Sequence, residues 1–312
     1  DDLQGANVSL TNPGGIGTVL ELMMVWQLLQ VKHVEGAPLI LVGKMWDGLV
    51  DWARTQLAGS DPPLASAQDI DIPICVATAD EAIAVLREQA SHKCVRSVRH
   101  KPGGPTSPAQ FGRVRSLMSD EHWRRGYAAL EGLGLHFDLQ TPWWNLPEAE
   151  RLARDFPGIT LILNHAGLPS DRSAEGLAGW RAAMARLAQW PNVQVKISGL
   201  GQAGRAWRAI DNAWIVREII AMFGTKRAMF ASNFPVDSLC GSFNDIYNGF
   251  KSIVADLPVA DQERLFYSNA QRIYRCEPCA IDRARPESLR SEAWTRQPSR
   301  WSWATPRASV RN

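Results

Sequence analysis

Leu161-Ile162-Leu163-Asn164-His165-Ala166-Gly167 decides how the rest of the chain is read. A short apolar run meets an amide, an imidazole and a glycine, the pattern of a buried strand ending in a loop. Two further stretches end in the same manner. Val193-Gln194-Val195-Lys196-Ile197-Ser198-Gly199-Leu200 closes on a lysine and a serine, and Met229-Phe230-Ala231-Ser232-Asn233-Phe234-Pro235-Val236-Asp237 on an amide and a carboxylate. Helical patterns at 176–190 and 212–223 separate the three. Strands alternating with helices at this spacing make βαβ units, whose parallel strands carry their functional groups at the carboxyl ends. A single histidine beside a strand is commonly structural, but three polar strand ends in one series point to a site.

Outward from these, strands are predicted at 7–11, 38–43, 72–77, 95–100, 135–140, 160–165, 193–199 and 227–234. Helices are predicted at 17–32, 47–58, 79–91, 120–133, 147–156, 176–190, 212–223 and 243–256. About eight of each invites a closed barrel, yet the two halves carry different fingerprints, with a seam at 90–94. The sequence therefore predicts an α/β chain in three regions. Residues 1–91 form a partial Rossmann-like parallel sheet, 92–275 an incomplete TIM-like (β/α) barrel, and 276–312 a disordered tail rich in Arg, Ser, Pro and Trp. Three units plus five also allow a composite eight-unit pseudo-barrel.

In the first region, Asn12-Pro13-Gly14-Gly15-Ile16-Gly17-Thr18-Val19-Leu20-Glu21 lies between a strand and a helix. Glycines permit positive φ and close backbone approach, and a helix N-terminus favours a phosphate. The string resembles the PGGxGTxxE motif of the Lonely-guy family, the cytokinin-nucleotide phosphoribohydrolases. Residues 38–43, Trp46-Asp47-Gly48-Leu49-Val50-Asp51-Trp52 and Asp80-Glu81-Ala82 continue the likeness. The resemblance implies phosphate binding by Gly14, Gly15, Gly17 and Thr18, with Glu21 acting in N-glycosidic cleavage. That family's amino-terminal half, with its arginine-bearing helix, has no counterpart here.

The second region is similar to the amidohydrolase-2 family, in particular its lactonase-like branch acting on pyrone dicarboxylate and on aldonolactones. Besides the three strand ends, the likeness rests on Val95-Arg96-Ser97-Val98-Arg99-His100, Phe137-Asp138-Leu139-Gln140, Gly176-Leu177-Ala178-Gly179-Trp180-Arg181 and Ser268-Asn269-Ala270. It implies attack of water on an ester carbonyl, which needs a base and an oxyanion-stabilising group. His165 would act as ligand or carbonyl polariser, and Arg99, Gln140 and Lys196 would bind substrate. The family's acid at the last strand is replaced by Asn233, which leaves Asp237 as the nearest carboxylate. The family's first-strand His-x-His pair is also absent: none of the six histidines are so spaced. No cofactor is expected, although a divalent ion such as zinc stays conceivable through His165 and a carboxylate.

A formal net charge of +2 gives no reason to expect nucleic acid, and no apolar run is long enough for a membrane helix. Five scattered cysteines argue against a disulfide framework, the cytoplasm is the default expectation without a signal-peptide pattern, and the lone Cys276-Glu277-Pro278-Cys279 lacks the second pair of a zinc site. Trp143-Trp144 and Lys101-Pro102-Gly103-Gly104-Pro105 read as packing and connector rather than pocket and lid. The chain opens on Asp1-Asp2 rather than Met, which suggests a fragment, a processed chain or an incomplete gene model. Three readings stay open: a hydrolase of a lactone or cyclic ester, its activity open to loss by truncation; an AMP-binding, phosphoribohydrolase-like segment; and a non-catalytic fusion or gene-model artefact. A small-molecule partner is expected, and the oligomeric state is left open.

Overall fold

A computed structural model describes residues 7–11, 15–32, 38–90 and 95–275. The tail 276–312, with its CxxC, and the central part of the predicted seam lie outside the described residues. Eight strands occur where the sequence places them: β1 Asn7–Thr11, β2 Leu39–Val42, β3 Pro73–Val76, β4 Ser97–His100, β5 His136–Leu139, β6 Leu161–Leu163, β7 Val193–Ile197 and β8 Ala228–Phe230. The helices are α1 Ile16–Gln30, α2 Met45–Ala53, α3 Ala67–Ile70, α4 Ala79–Ala90, α5 Glu121–Gly132, α6 Leu146–Asp155, α7 Ala174–Leu187, α8 Ala209–Phe223, α9 Phe243–Ile253, α10 Val259–Glu263 and α11 Asn269–Tyr274. The sequence reading missed α3, α10 and α11, each too short to establish a 3.6-residue period.

All eight strands join one parallel sheet in the order β3-β2-β1-β4-β5-β6-β7-β8. The closed pseudo-barrel that the unit count allowed is not formed: closure would set β1 beside β8, but β1 pairs with β2 and β4. The reason lies in which face each helix covers. Leu39 and Leu41 of β2 pack with Leu22 and Trp26 of α1 and with Trp46 and Val50 of α2. Ile40, on the opposite face, joins Ala82 of α4 and the core of the following units. Crossovers between parallel strands are right-handed, so a helix on the other face sends the chain the other way along the sheet. The first units therefore march outward to β3, and α4 returns to set β4 on the free side of β1. This reversal is that of a doubly wound sheet. The seam thus falls inside a continuous sheet, and the two regions share a core.

From β4 to β8 the helices cover one face. Phe137, Leu139, Leu161, Leu163, Val193, Val195 and Ile197 point into that core with Trp180, Met184 and Phe250. The other face, which would line a closed barrel, carries a small cluster of Ile162 and Met229 with Ile273 and Tyr274 of α11. His136 Nε2 contacts the Ile273 carbonyl at 2.8 Å, so α11 covers the concealed face near the amino ends of the strands and leaves the carboxyl ends free.

Ile40→Ala and Leu41→Ala each remove a fully buried side chain, on opposite faces of β2. Each is expected to destabilise one common unfolding transition by about 2–5 kcal/mol in urea denaturation. Two transitions, of which these substitutions moved only one, would show that the first three strands fold apart from the rest.

Candidate active site

Polar side chains gather where β4 to β8 end, and the chain conformation there explains why. After β6 the backbone turns through His165, Ala166, Gly167 and Leu168, all at positive φ of 53 to 68°. This tight left-handed turn drives the imidazole back toward β7. Its Nδ1 lies 2.9 Å from Ser198 Oγ, and its Nε2 lies 3.5 Å from Arg99 Nη2. A guanidinium can only donate, so Nε2 is the bare nitrogen and Nδ1 carries the hydrogen toward Ser198. Arg99 also donates to Gln140 Oε1 at 2.7 Å. Gly199, at φ +63°, is held to glycine by this packing: a Cβ there would sit 2.9 Å from His165 Cβ.

The same Gly199-Leu200-Gly201 turn meets the second group of predicted residues. A Cβ on Gly201 would lie 3.2 Å from Asp237 Oδ1, and Gly201 N–H reaches Asp237 Oδ2 at 3.4 Å. Asn233, in the left-handed region at φ 57°, donates from Nδ2 to Asp237 Oδ1 at 2.8 Å. His165 and Asp237 thus touch glycines two residues apart. The amide that replaces the expected acid of the last strand holds a carboxylate from the following turn.

Burial sets the electrostatics. His165 is pushed down to about 3, first by burial and then by the cations Arg99 and Lys196, so the imidazole is neutral at ordinary pH. Burial pushes Asp237 up, against the hydrogen bonds from Asn233 and Gly201. His100 falls to about 4 through burial alone, stacks on Trp123 and accepts from its indole, a core histidine rather than a ligand.

Lys196 departs from the sequence expectation. Its Nζ lies 3.0 Å from Asp138 Oδ1 and 4.9 Å from the centre of the Tyr274 ring. Asp138 is 1% exposed and also accepts from Ser97 Oγ at 2.5 Å and Tyr274 OH at 2.9 Å. Burial would raise this carboxyl, but Lys196 with the Ser97 and Tyr274 hydroxyls holds it below the ordinary range. Lys196 is committed to a buried anion. Asp138 was legible as a carboxylate alternating with core residues in Phe137-Asp138-Leu139, a position that demands a partner. Ser198 and the unpartnered Asn164 were legible only as strand-end polar residues.

The residues expected to bind a nucleotide phosphate take a different form from the one that role requires. Gly14 lies outside the described residues. Gly15 precedes α1 with φ −82°, and Gly17 and Thr18 lie within the helix, so Gly15 is not at positive φ. Glu21 pairs with Lys101 rather than standing free. Trp143 packs on Gly179 and Trp144 donates to the Pro105 carbonyl, which makes both tryptophans and the 101–105 connector structural.

Residues 42–276 match the amidohydrolase family. The chain belongs to that family. The match starts well before the predicted seam and includes Trp46–Trp52 and the Asp80-Glu81-Ala82 helix start, so the Lonely-guy likeness of those strings is not supported. Relatives of this amidohydrolase chain include the uncharacterized protein y4mH of Sinorhizobium fredii, 47% identical over 192 residues, covering 61% of this chain and 64% of that protein. An L-fucono-1,5-lactonase of Burkholderia multivorans is 31% identical over 172 residues, 52% of this chain and 58% of that enzyme. The chain spans less than two thirds of the length of these curated relatives. Among solved structures, an amidohydrolase of Burkholderia multivorans with bound zinc aligns at a TM-score of 0.55 and 20% identity, over 87% of this chain and 99% of that one. A Pseudomonas putida protein assigned as a 2-pyrone-4,6-dicarboxylic acid hydrolase aligns at 0.52 and 18% identity, over 87% and 98%. Both likenesses speak for the fold.

The zinc of that structural neighbour raises the question of fit. Among the described residues no three His, Cys, Asp or Glu side chains gather closely enough to hold a metal ion. The bare Nε2 of His165 faces a guanidinium, where a second cation would be repelled. These residues do not fit a metal.

Lys196→Met is expected to destabilise the protein by roughly 3–5 kcal/mol at neutral pH, because it strands a buried carboxylate. The folded pKa of Asp138 is depressed, so the pair's contribution is complete above the ordinary carboxylate pKa and lost as pH falls through the folded value. The gap between wild type and variant in urea denaturation should therefore close on acidification. A gap independent of pH would contradict the assignment.

Proposed function

We propose that this chain hydrolyses a lactone or related cyclic ester by attack of water on the ring carbonyl. The observation that carries the reading is the Asp237 carboxylate, buried against the turn that also packs on His165. The family membership and the lactonase relative support the class of reaction. The ring ester is neutral and electrophilic, so the residues need supply only a base and a countercharge.

Asp237 is the base. Desolvation raises its pKa toward the useful range, while the amide of Asn233 fixes one carboxylate oxygen and the other, held by the Gly201 N–H at 3.4 Å, keeps a lone pair to accept from a water. As water adds to the carbonyl carbon, its proton passes to Asp237 and the carbonyl oxygen becomes an oxyanion. Arg99 stabilises that charge, being an exposed guanidinium whose contacts to Gln140 and His165 orient it. Collapse breaks the bond to the ring oxygen, which takes the proton back from Asp237 and leaves an open-chain hydroxy acid. His165 is a positioning residue. With its conjugate acid at about 3 it is a poor base at neutral pH, and its bare nitrogen braces Arg99.

Asp237→Asn should lower kcat by at least about 100-fold on any five- or six-membered lactone that the wild type opens, measured by pH-stat. The wild-type rate should fall as pH drops through a single ionisation above the ordinary aspartate value, with none from His165 near neutrality. A panel of lactones left intact by the wild type, or an unaffected Asp237→Asn, would sink the reading.

A further inference from the structure

Asn164 neither moves a proton nor stabilises charge in lactone hydrolysis, yet it is the most anomalous side chain at the strand ends. It is 2% exposed, and neither its Nδ2 nor its Oδ1 has a hydrogen-bond partner among the described residues. A buried amide with both ends unsatisfied costs stability, whereas an apolar side chain of the same shape would cost nothing. By contrast, the polar groups of His165, Arg99, Gln140, Lys196 and Asp138 are engaged with one another or with neighbours. Folding gives no reason for a carboxamide here.

Its place follows from the strand geometry. Asn164 keeps the extended backbone of β6, with φ −82° and ψ 151°, and its N–H continues the ladder to the Leu139 carbonyl at 2.8 Å. Leu161 and Leu163 face the helices, whereas Ile162 faces the concealed side. Alternation puts Asn164 on the side of Ile162, one step nearer the carboxyl edge. The pairings of Leu139 with Leu163, and of Leu163 with Val195, set Asn164 between Gln140 and Lys196. It therefore stands at the carboxyl edge of the sheet between Gln140, which holds Arg99, and the structural Lys196.

A carboxamide offers one donor face and one acceptor face, which together match a hydroxyl group. A carboxylate would satisfy only the donor and oppose the carbonyl oxygen. Lys196, the cation beside it, is already neutralised by Asp138. We propose that Asn164 is a specificity-determining residue that reads a ring hydroxyl, so that the substrate is a neutral, hydroxylated lactone rather than a ring dicarboxylate. This rests on the lactonase reading above and names its substrate class. Gln140, only partly buried and held by Arg99, is its neighbour on β5.

Calorimetry of the full chain tests this with an aldono-1,5-lactam, a non-hydrolysable ring, against δ-valerolactam, which lacks the hydroxyls, and against a six-membered ring dicarboxylate. Wild type should bind the hydroxylated lactam best. Asn164→Leu should weaken it by at least about tenfold, to the level of the bare ring, with an unchanged or higher Tm. Asn164→Ala should show the same loss of preference and serves if the leucine variant fails to fold. The proposal is overturned if wild type does not prefer the hydroxylated ring, if it prefers the dicarboxylate, or if both variants keep the wild-type preference. Preference for the hydroxylated lactam without turnover of any lactone would condemn the hydrolase reading alone. Turnover with a preference unaltered by the variants would condemn this assignment alone.

Discussion

A parallel sheet left open must still hide both faces, and in this chain the second face hides a charge. Asp138 sits in the middle of β5 with almost no exposure, where an unpaired carboxylate would be strongly unfavourable. Its partners come from three other elements: Ser97 of β4, Lys196 of β7 and Tyr274 at the end of α11. The cluster ties three strands and the last helix together. Because Tyr274 must reach Asp138, α11 lies over the amino half of the concealed face and leaves the carboxyl ends open for chemistry.

The sheet is open for a reason that lies in its first ninety residues. Side-chain alternation in β2 sends Leu39 and Leu41 to one face and Ile40 to the other, and both faces find helices. A barrel needs every helix on one face. Once α1 and α2 took the opposite face from α4, right-handed crossovers fixed the reversed order of the first three strands. The strands β4 to β8, which carry the site, keep the sequential order of a barrel, so their carboxyl ends still converge although the ring does not close.

The site was partly legible. His165, Asn233 and Asp237 stood out because packing alone rarely places polar residues at the ends of apolar runs throughout a βα series, whereas Arg99 and Gln140 were named from the family resemblance. The structure brings them together in two groups that share the Gly199–Gly201 turn. Lys196 reads the same way in the sequence but is engaged with Asp138, and only pairing across two strands distinguishes a substrate-binding cation from a structural one. The glycine-rich string before α1 illustrates the converse. Its letters suggest a phosphate cradle, whereas the Gly15 backbone is extended and Glu21 is paired with a lysine eighty residues away.

What the sequence determined by itself was local: eight strands within a few residues of their ends, the eight longer helices, and the polar strand ends, all governed by side-chain period and turn chemistry over a handful of residues. Tertiary structure alone decided the order of the strands, the open edge between β3 and β8, the burial that makes His165 neutral and raises Asp237, and the orphaned amide of Asn164. Each depends on which residues far apart in the chain come to exclude water from one another. Burial and partnership are properties of the packed whole, and no local pattern of residues contains them.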